Sequence, residues 1–409
     1  MSDDLTVTSV PIVTLQDIEE AHERISTTVV RTPTVSCPAL SRLTGADITL
    51  KLENLQAIGS FKERGAANKM ALLTPEERAR GVITVSAGNH AQGVARQASL
   101  LGISATIVMP RFTPATKVAA TEAWGANVVL AGDDFAQACE VAEDLQKQEG
   151  RCLVHPFNDP AVIAGQGTVA LELLQDAPEI DTVVVPVGGG GLIGGIATVM
   201  SALRPDVEVI GVQVEAYASL AGFPQEDGPT RGGATIAEGI AVTRLGDHCL
   251  NAFRGKISRI LVVNELQVES AITTLAEKAK QVCEGAGATG LAAVLANPDL
   301  FKGRKIALPL SGGNINARIL ANTILRSLLR DGRILRLIFQ IPDRPGTLAD
   351  ISARIGSYGG NIIEVSHHRL FASPSVQTAE LVVMVEARDT AHAHQIETDL
   401  ARHYIVRRD

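Results

Sequence analysis

The residues best placed to do chemistry in this 409-residue chain lie in four short polar stretches. The first is Gly59-Ser60-Phe61-Lys62-Glu63-Arg64-Gly65, in which one lysine is set between an apolar pair and the helix-like run Arg64 to Met70. A lysine held out of water there loses part of its basicity, and its neutral amine becomes a nucleophile. The other three are Ser86-Ala87-Gly88-Asn89-His90, Gly188-Gly189-Gly190-Gly191 and Ser311-Gly312-Gly313-Asn314. Four consecutive glycines after an apolar run can turn their backbone N–H groups together onto an anion, and the dipole of a following helix adds to the attraction. A tight strand–helix turn would not need all four, because each costs chain entropy. Gly189, Gly191 and Gly194 also satisfy the G-x-G-x-x-G spacing of a dinucleotide site, with Glu215 at the end of a later strand as ribose-binding acid. That reading makes the chain an oxidoreductase, but it leaves Lys62 and the other two loops without a role.

Each of the three loops follows an apolar run and precedes or neighbours a helical one. Gly81–Val85, Ala105–Met109 and Ala126–Leu130 read as strands, alternating with helices over Ala91–Leu101, Lys117–Trp124 and Phe135–Gln148. A second series has strands at Thr182–Val187, Val207–Glu215 and Lys305–Leu310, with helices at Leu192–Leu203, Val268–Glu284 and Ala286–Leu295. Upstream, a helix starts after Thr14 and runs through Ile25, and Ile48–Glu53 alternates as a strand. Repeated βα units predict parallel sheets with helices on both faces. Ligands of such sheets bind beyond the carboxyl ends of the strands, where these loops lie. From residue 334 the rhythm becomes βαββαβ: strands at Ile334–Ile341, Asn361–Leu370, Val376–Glu386 and Tyr404–Val406, helices at Gly346–Ser357 and Thr390–Arg402. Residues 1–11 read as a loose arm and 221–233 as a loop.

Composition narrows the function classes. The chain is too long for one ordinary core. With 45% hydrophobic residues and only 3% aromatic ones, its interior is built from Val, Ile, Leu and Ala. A net charge of −8 and a pI near 5.7 argue against a nucleic-acid partner and provide no basic membrane patch. No apolar run is long enough to span a bilayer and no signal-peptide pattern opens the chain, so a cytoplasmic protein is expected. The five cysteines are scattered without a CxxC pair, which suggests neither a disulfide framework nor a zinc site. His367 and His368 are adjacent in an expected strand, so they point to opposite faces and do not form a chelating pair. Cys283 beside Glu284 looks like a nucleophile pair, yet fits better as a small apolar filler.

Together the four stretches resemble the fold-type II pyridoxal phosphate enzymes, and among them the threonine ammonia-lyase (threonine dehydratase) family. Glu238-Gly239-Ile240-Ala241-Val242 and Cys283-Glu284-Gly285-Ala286-Gly287 are similar to that family as well, and the resemblance covers roughly residues 12–325. The tail, with Asp343-Arg344-Pro345-Gly346-Thr347-Leu348 and Gly359-Gly360-Asn361-Ile362, resembles an ACT domain, a regulatory module that often binds amino acids. The resemblance implies an α/β fold of two parallel-sheet domains with a C-terminal α+β ACT unit. The large catalytic domain would span 1–54 and 156–325 and the small one 55–155, followed by a linker at 326–333 and the ACT domain at 334–409. It further implies pyridoxal 5'-phosphate as cofactor, joined through Lys62. Gly188, Gly189, Gly190, Gly191 and Leu192 would hold the phosphate, Asn89 the ring hydroxyl and Ser311 the pyridine nitrogen, with Phe61 packed near the ring. Ser86, Ala87, Gly88, Asn89 and His90 would receive the substrate carboxylate. The implied reaction is β-elimination of L-threonine to 2-oxobutanoate and ammonia, with L-serine as a lesser substrate, an amino-acid effector at the tail, and a homo-oligomer, dimer or tetramer. Related serine racemases carry a second serine where Ala87 stands, so racemisation is expected to be weak. They also bind a divalent metal through a glutamate and a nearby aspartate; Glu215 has no second carboxylate beside it, so no metal is expected.

Overall fold

The computed structural model describes residues 12–223, 232–368 and 378–408. It divides into two compact units, Met1–Ile315 and Asn316–Asp409. The expected arm at 1–11, most of the loop expected at 221–233, and the strand residues expected at 369–370 and 376–377 lie outside the described residues.

The first unit holds two sheets. In the larger, the strands lie side by side in the order Thr34–Ser36, Asp47–Lys51, Lys305–Pro309, Thr182–Pro186, Glu208–Val214, Arg259–Val263. All pairs are parallel except the first. The smaller sheet is parallel throughout, in the order Asn127–Leu130, Ala105–Met109, Val82–Val85, Cys152–Leu153. Its central strands are buried on both faces, which is why they read as unbroken Val/Ile/Thr runs. The pairing of Asp47–Lys51 with Lys305–Pro309 matters most for function. It joins segments more than 250 residues apart in the sequence, so the chain leaving Lys51 and the chain leaving Pro309 emerge together.

Several elements depart from the expected pattern. The helix expected over Val268–Glu284 ends early. It runs as an α-helix over Glu265–Thr274, widens into a π-turn at Leu275–Ala279, and stops at Lys280. Lys280 is the one non-glycine residue with positive φ among those described, and the Gln281 N–H reaches back 3.1 Å to the Leu275 carbonyl. Residues 281–284 are therefore a loop, followed by the helix Gly285–Ala296. The helix Pro160–Asp176 has no counterpart among the expected elements. It is capped by Asp159 but buried nearly all round, so it lacks the apolar stripe that marks a surface helix. The strand expected to alternate over Ile48–Glu53 stops at Lys51, and both Lys51 and Glu53 are wholly buried.

The second unit opens with the helix Ala317–Arg330, so the end of that helix falls within the stretch 326–333 expected as a linker. Its sheet is antiparallel, in the order Asn361–His368, Thr378–Glu386, Ile334–Pro342, Ile405–Arg408. Helices Thr347–Ser357 and Thr390–His403 cover one face through Ile351, Ile355, Ile396 and Leu400. This βαββαβ order is consistent with an ACT-like domain.

Candidate active site

Lys62 is the first residue of the helix Lys62–Ala71. Just before it, Ser60 bridges to Gly312, and the Phe61 N–H donates to the Ser311 carbonyl at 3.0 Å. The Gly313 N–H donates to the Gly59 carbonyl at 2.9 Å. The lysine loop and the loop after the strand Lys305–Pro309 are thus laced by main-chain bonds, which the pairing of their parent strands makes possible. The Lys62 amine donates to the Pro156 carbonyl at 2.7 Å. Two rings flank it, with centroids 5.4 Å away for Phe61 and 6.0 Å for Phe157. Burial lowers its pKa to about 8, against partial compensation from Cys249 and Glu284. Roughly a tenth of the amine is therefore neutral at pH 7, far more than for a lysine in water.

The Ser86–His90 loop reaches the lysine through the helix Asn89–Leu101. Gly93 lies at the point of contact, where a Cβ would rest 3.4 Å from the Lys62 carbonyl. The N–H groups of Asn89, His90 and Ala91 find no protein acceptor among the described residues, as the first turn of a helix leaves them. Ser86 Oγ accepts from the Gly88 N–H at 3.3 Å, and Ala87 packs on the smaller sheet's core. The His90 ring turns away from this array of amides. Its Nε2 bonds the Val154 carbonyl at 2.9 Å, and burial together with the nearby Lys62 lowers its pKa to about 3, so the ring stays neutral.

Asn89 is held at both ends. Asn314 Nδ2 donates to its Oδ1 at 2.7 Å, and its own Nδ2 donates to Glu284 Oε1 at 2.7 Å. One N–H of the Asn89 amide is left to donate elsewhere. Glu284 comes from the loop after the π-turn and is fixed by its N–H on the Gly312 carbonyl at 3.0 Å. Burial raises its pKa to about 7 against the Asn89 bond. Glu284 is absent from the expected site residues. Its contact with Asn89 spans 195 residues, so only the fold pairs them. Cys283 packs beside it, fully buried, with Sγ donating to the Gly312 carbonyl at 3.2 Å. Its thiol pKa is pushed well up by burial, as suits an apolar filler rather than a nucleophile.

The four glycines follow the strand Thr182–Pro186 and open the helix Gly191–Leu203. The amides of Gly188 to Leu192 donate to no protein acceptor among the described residues, which leaves a run of N–H groups at a helix N-terminus for an anion. Three of these glycines also have a packing or backbone reason. A Cβ at 188 would lie 2.9 Å from Ile240 Cα, one at 189 would enter the Phe157 ring, and Gly190 has φ +94°. Phe157 lies on an irregular segment to which the sequence pattern assigns no element. His155 Nδ1 accepts its N–H at 3.2 Å and that of Asn158 at 2.8 Å. The structure thus sets Phe61 and Phe157 against the Lys62 amine, ties Ser311 to the lysine loop, brings the helix of the Ser86–His90 loop beside Lys62 and, through Phe157, joins the glycine loop to this region. No group of three or more His, Cys, Asp or Glu side chains among the described residues is arranged to hold a metal ion.

A reactive amine, an amide cradle for an anion and a free amide N–H fit a phosphorylated aldehyde cofactor, and comparison with known proteins agrees. The L-threonine ammonia-lyase of Thermotoga maritima is 44% identical over 97% of this chain and 99% of its own length. Among solved structures, a T.th. threonine deaminase is 41% identical, covers 74% of this chain and 99% of its own, and superposes with a TM-score of 0.70. Maize serine racemase is 34% identical with a TM-score of 0.72, over 78% of this chain and 99% of its own. The family model described as "Pyridoxal-phosphate dependent enzyme" matches residues 25–312, and the chain belongs to that family.

Proposed function

We propose that this protein is a pyridoxal phosphate-dependent lyase that converts L-threonine to 2-oxobutanoate and ammonia, with L-serine as a lesser substrate. The observation that carries this reading is the partly buried Lys62 amine, held on the Pro156 carbonyl beside the Phe61 and Phe157 rings, with the Gly312 loop bridged to its own. Near-full-length identity to a threonine ammonia-lyase supports the substrate. In this reading the cofactor's conjugated ring supplies an electron sink for the pair left at the substrate Cα.

The chain's own groups do the rest. Lys62 would anchor the cofactor through its amine, and that amine, when free, would take the substrate's Cα proton. The amides of Gly188 to Leu192 hold the phosphate, and the remaining Asn89 N–H donates to the ring hydroxyl. Ser311 would be the residue at the pyridine nitrogen; a hydroxyl would not hold that nitrogen protonated as a carboxylate would, which would favour rapid β-elimination. Phe61 packs against the ring. The substrate carboxylate is taken by main-chain amides of the Ser86–His90 loop; the His90 ring, neutral and bonded to Val154, contributes no charge. Ala87 offers no proton for the opposite face of the substrate, which disfavours racemisation.

The C-terminal unit is proposed to sense an amino acid and to adjust this activity, in a homo-oligomer in the cytoplasm. Among the described residues no helix is long and apolar enough to cross a membrane. The test of the lyase reading is direct. Purified protein loaded with pyridoxal phosphate should show a visible absorption band and release 2-oxobutanoate from L-threonine, and Lys62→Ala should lose both. Lys62→Ala protein that retained deaminase activity would sink the proposal.

A further inference from the structure

We infer that Phe157 is the specificity-determining residue of this site, the apolar wall against which the substrate's β-substituent rests, and that it sets the preference for threonine over serine. The inference deepens the lyase reading and rests on it.

The substrate amine takes the place that the Lys62 amine holds, so Cα lies one bond from that position and the γ-methyl of threonine three bonds away. Whatever packs around Nζ therefore bounds the β-substituent. On the polar side lies the Pro156 carbonyl, at 2.7 Å. On the apolar side lie two rings, Phe61 at 5.4 Å and Phe157 at 6.0 Å. Phe61 immediately precedes the lysine on the same chain, and the proposed function commits it to the cofactor ring. Phe157 comes from a different segment and has no other assigned partner in the chemistry.

Phe157 is also held as a specificity element must be, because a wall that yields cannot discriminate one methyl group. Its ring lies against the Cα of Gly189, where no side chain fits, and a Cβ at Gly191 would meet the Phe157 Cβ at 3.3 Å. The His155 ring meets it edge-on, with centroids 4.7 Å apart and planes at 87°. Its N–H is taken by His155 Nδ1 at 3.2 Å, and its carbonyl by the Cys249 thiol at 3.2 Å. Burial and the neighbouring Lys62 hold the His155 pKa down to about 4, so Nδ1 keeps the lone pair that this bond requires across the physiological range. The two rings leave no polar partner for a β-methyl to displace, and serine has no carbon to place there. One methyl group against a rigid apolar wall is worth on the order of 10-fold in kcat/KM, up to about 200-fold in a closed pocket.

The experiment compares parent protein with Phe157→Ala, both loaded with pyridoxal phosphate. The ratio of kcat/KM for L-threonine to that for L-serine should fall about tenfold in the variant, chiefly through loss of threonine activity. A second readout does not depend on elimination. L-2-aminobutyrate and L-alanine differ by the same methyl and have no leaving group, and their dissociation constants can be titrated on the cofactor's visible band. Their ratio should shrink in parallel. A cofactor-loaded, active Phe157→Ala with both ratios unchanged overturns the role of Phe157 and leaves the lyase reading standing. Should Phe157→Ala fail to take up the cofactor, Phe157→Leu carries the same test, since it keeps packing on Gly189 and withdraws only the ring edge. A fall of about threefold in the threonine-to-serine ratio is expected there, and an unchanged ratio overturns the inference. Parent protein that neither binds the cofactor nor acts on either amino acid overturns the lyase reading itself.

Discussion

At the scale of single residues the decisive property is the basicity of Lys62. A lysine in water keeps its proton to about pH 10.5, and burial brings that down to about 8 here. Two measurable consequences follow, with defined signs. Covalent uptake of pyridoxal phosphate by cofactor-free protein needs the neutral amine. Its rate should therefore rise with pH, pass through a midpoint near 8 and level off above it; stopped-flow absorption from about pH 6 to about pH 10 checks this. A midpoint above about 10 would mean that the amine is solvated. The second consequence concerns folding. Below about pH 8 the lysine is charged in both states, and the buried charge costs stability in full. Between about 8 and 10.5 the unfolded chain holds the proton and the folded chain does not, so the Lys62 contribution to stability rises with pH across that window. At this scale the four loops themselves are legible in the sequence, because each is a contiguous run of unusual residue types. Glu284 and Phe157 are not. Glu284 acquires meaning only from Asn89, brought to it by folding, and Phe157 sits in a segment whose role comes from what packs on it.

At the scale of elements the lysine helix is fixed by buried charges that no sequence pattern marks as buried. Arg64, two residues beyond Lys62, is fully enclosed and makes ion pairs with Glu53 at 2.8 Å and Glu172 at 2.7 Å. Lys51 closes the group on Glu172 at 2.6 Å and on the Thr32 carbonyl at 2.7 Å. Two cations and two carboxylates balance, and the Arg64 guanidinium beside Glu53 holds that carboxyl below its usual pKa despite burial. The four residues come from the strand Asp47–Lys51, the turn Glu53–Leu55, the lysine helix and the helix Pro160–Asp176. They clamp the lysine helix to the larger sheet. Well-packed apolar residues in place of the whole group are often neutral, but removing one member leaves a buried charge unpaired. Arg64→Ala should therefore destabilise the first unit by about 3–5 kcal/mol, read as a lowered denaturation midpoint. Arg64→Lys should recover only part of this, since an ammonium cannot reproduce the paired geometry on two carboxylates. A variant as stable as the parent would show that the clamp is dispensable. An alternating strand with charged residues on every second position predicts exposed charges, which is why pattern alone misplaces Lys51 and Glu53. The π-turn escapes for a related reason: nothing in Leu275–Ala279 is unfit for an ordinary helix.

At the scale of the whole molecule the question is whether the second unit regulates the first. Its element order is legible because strands and helices alternate with clear turn signals, while its start is not, since the helix Ala317–Arg330 precedes the first expected strand. The turn between Ile334–Pro342 and Thr347–Ser357 is where an effector response can be tested with least disturbance. Gly346 has φ +92° and open space around its Cα, so a side chain there meets backbone strain but no clash. Gly346→Ala should cost about 1–2 kcal/mol locally and reshape this turn, leaving the active-site loops of the other unit untouched. If the unit binds an amino acid through this turn, parent protein titrated with L-isoleucine should shift its L-threonine saturation curve. Gly346→Ala should lose most of that shift while keeping kcat for threonine within about twofold. Titration with the common amino acids in turn identifies the effector should isoleucine be silent. A saturation curve that no amino acid displaces, in parent and variant alike, would remove sensing from the second unit and leave it a structural or assembly role.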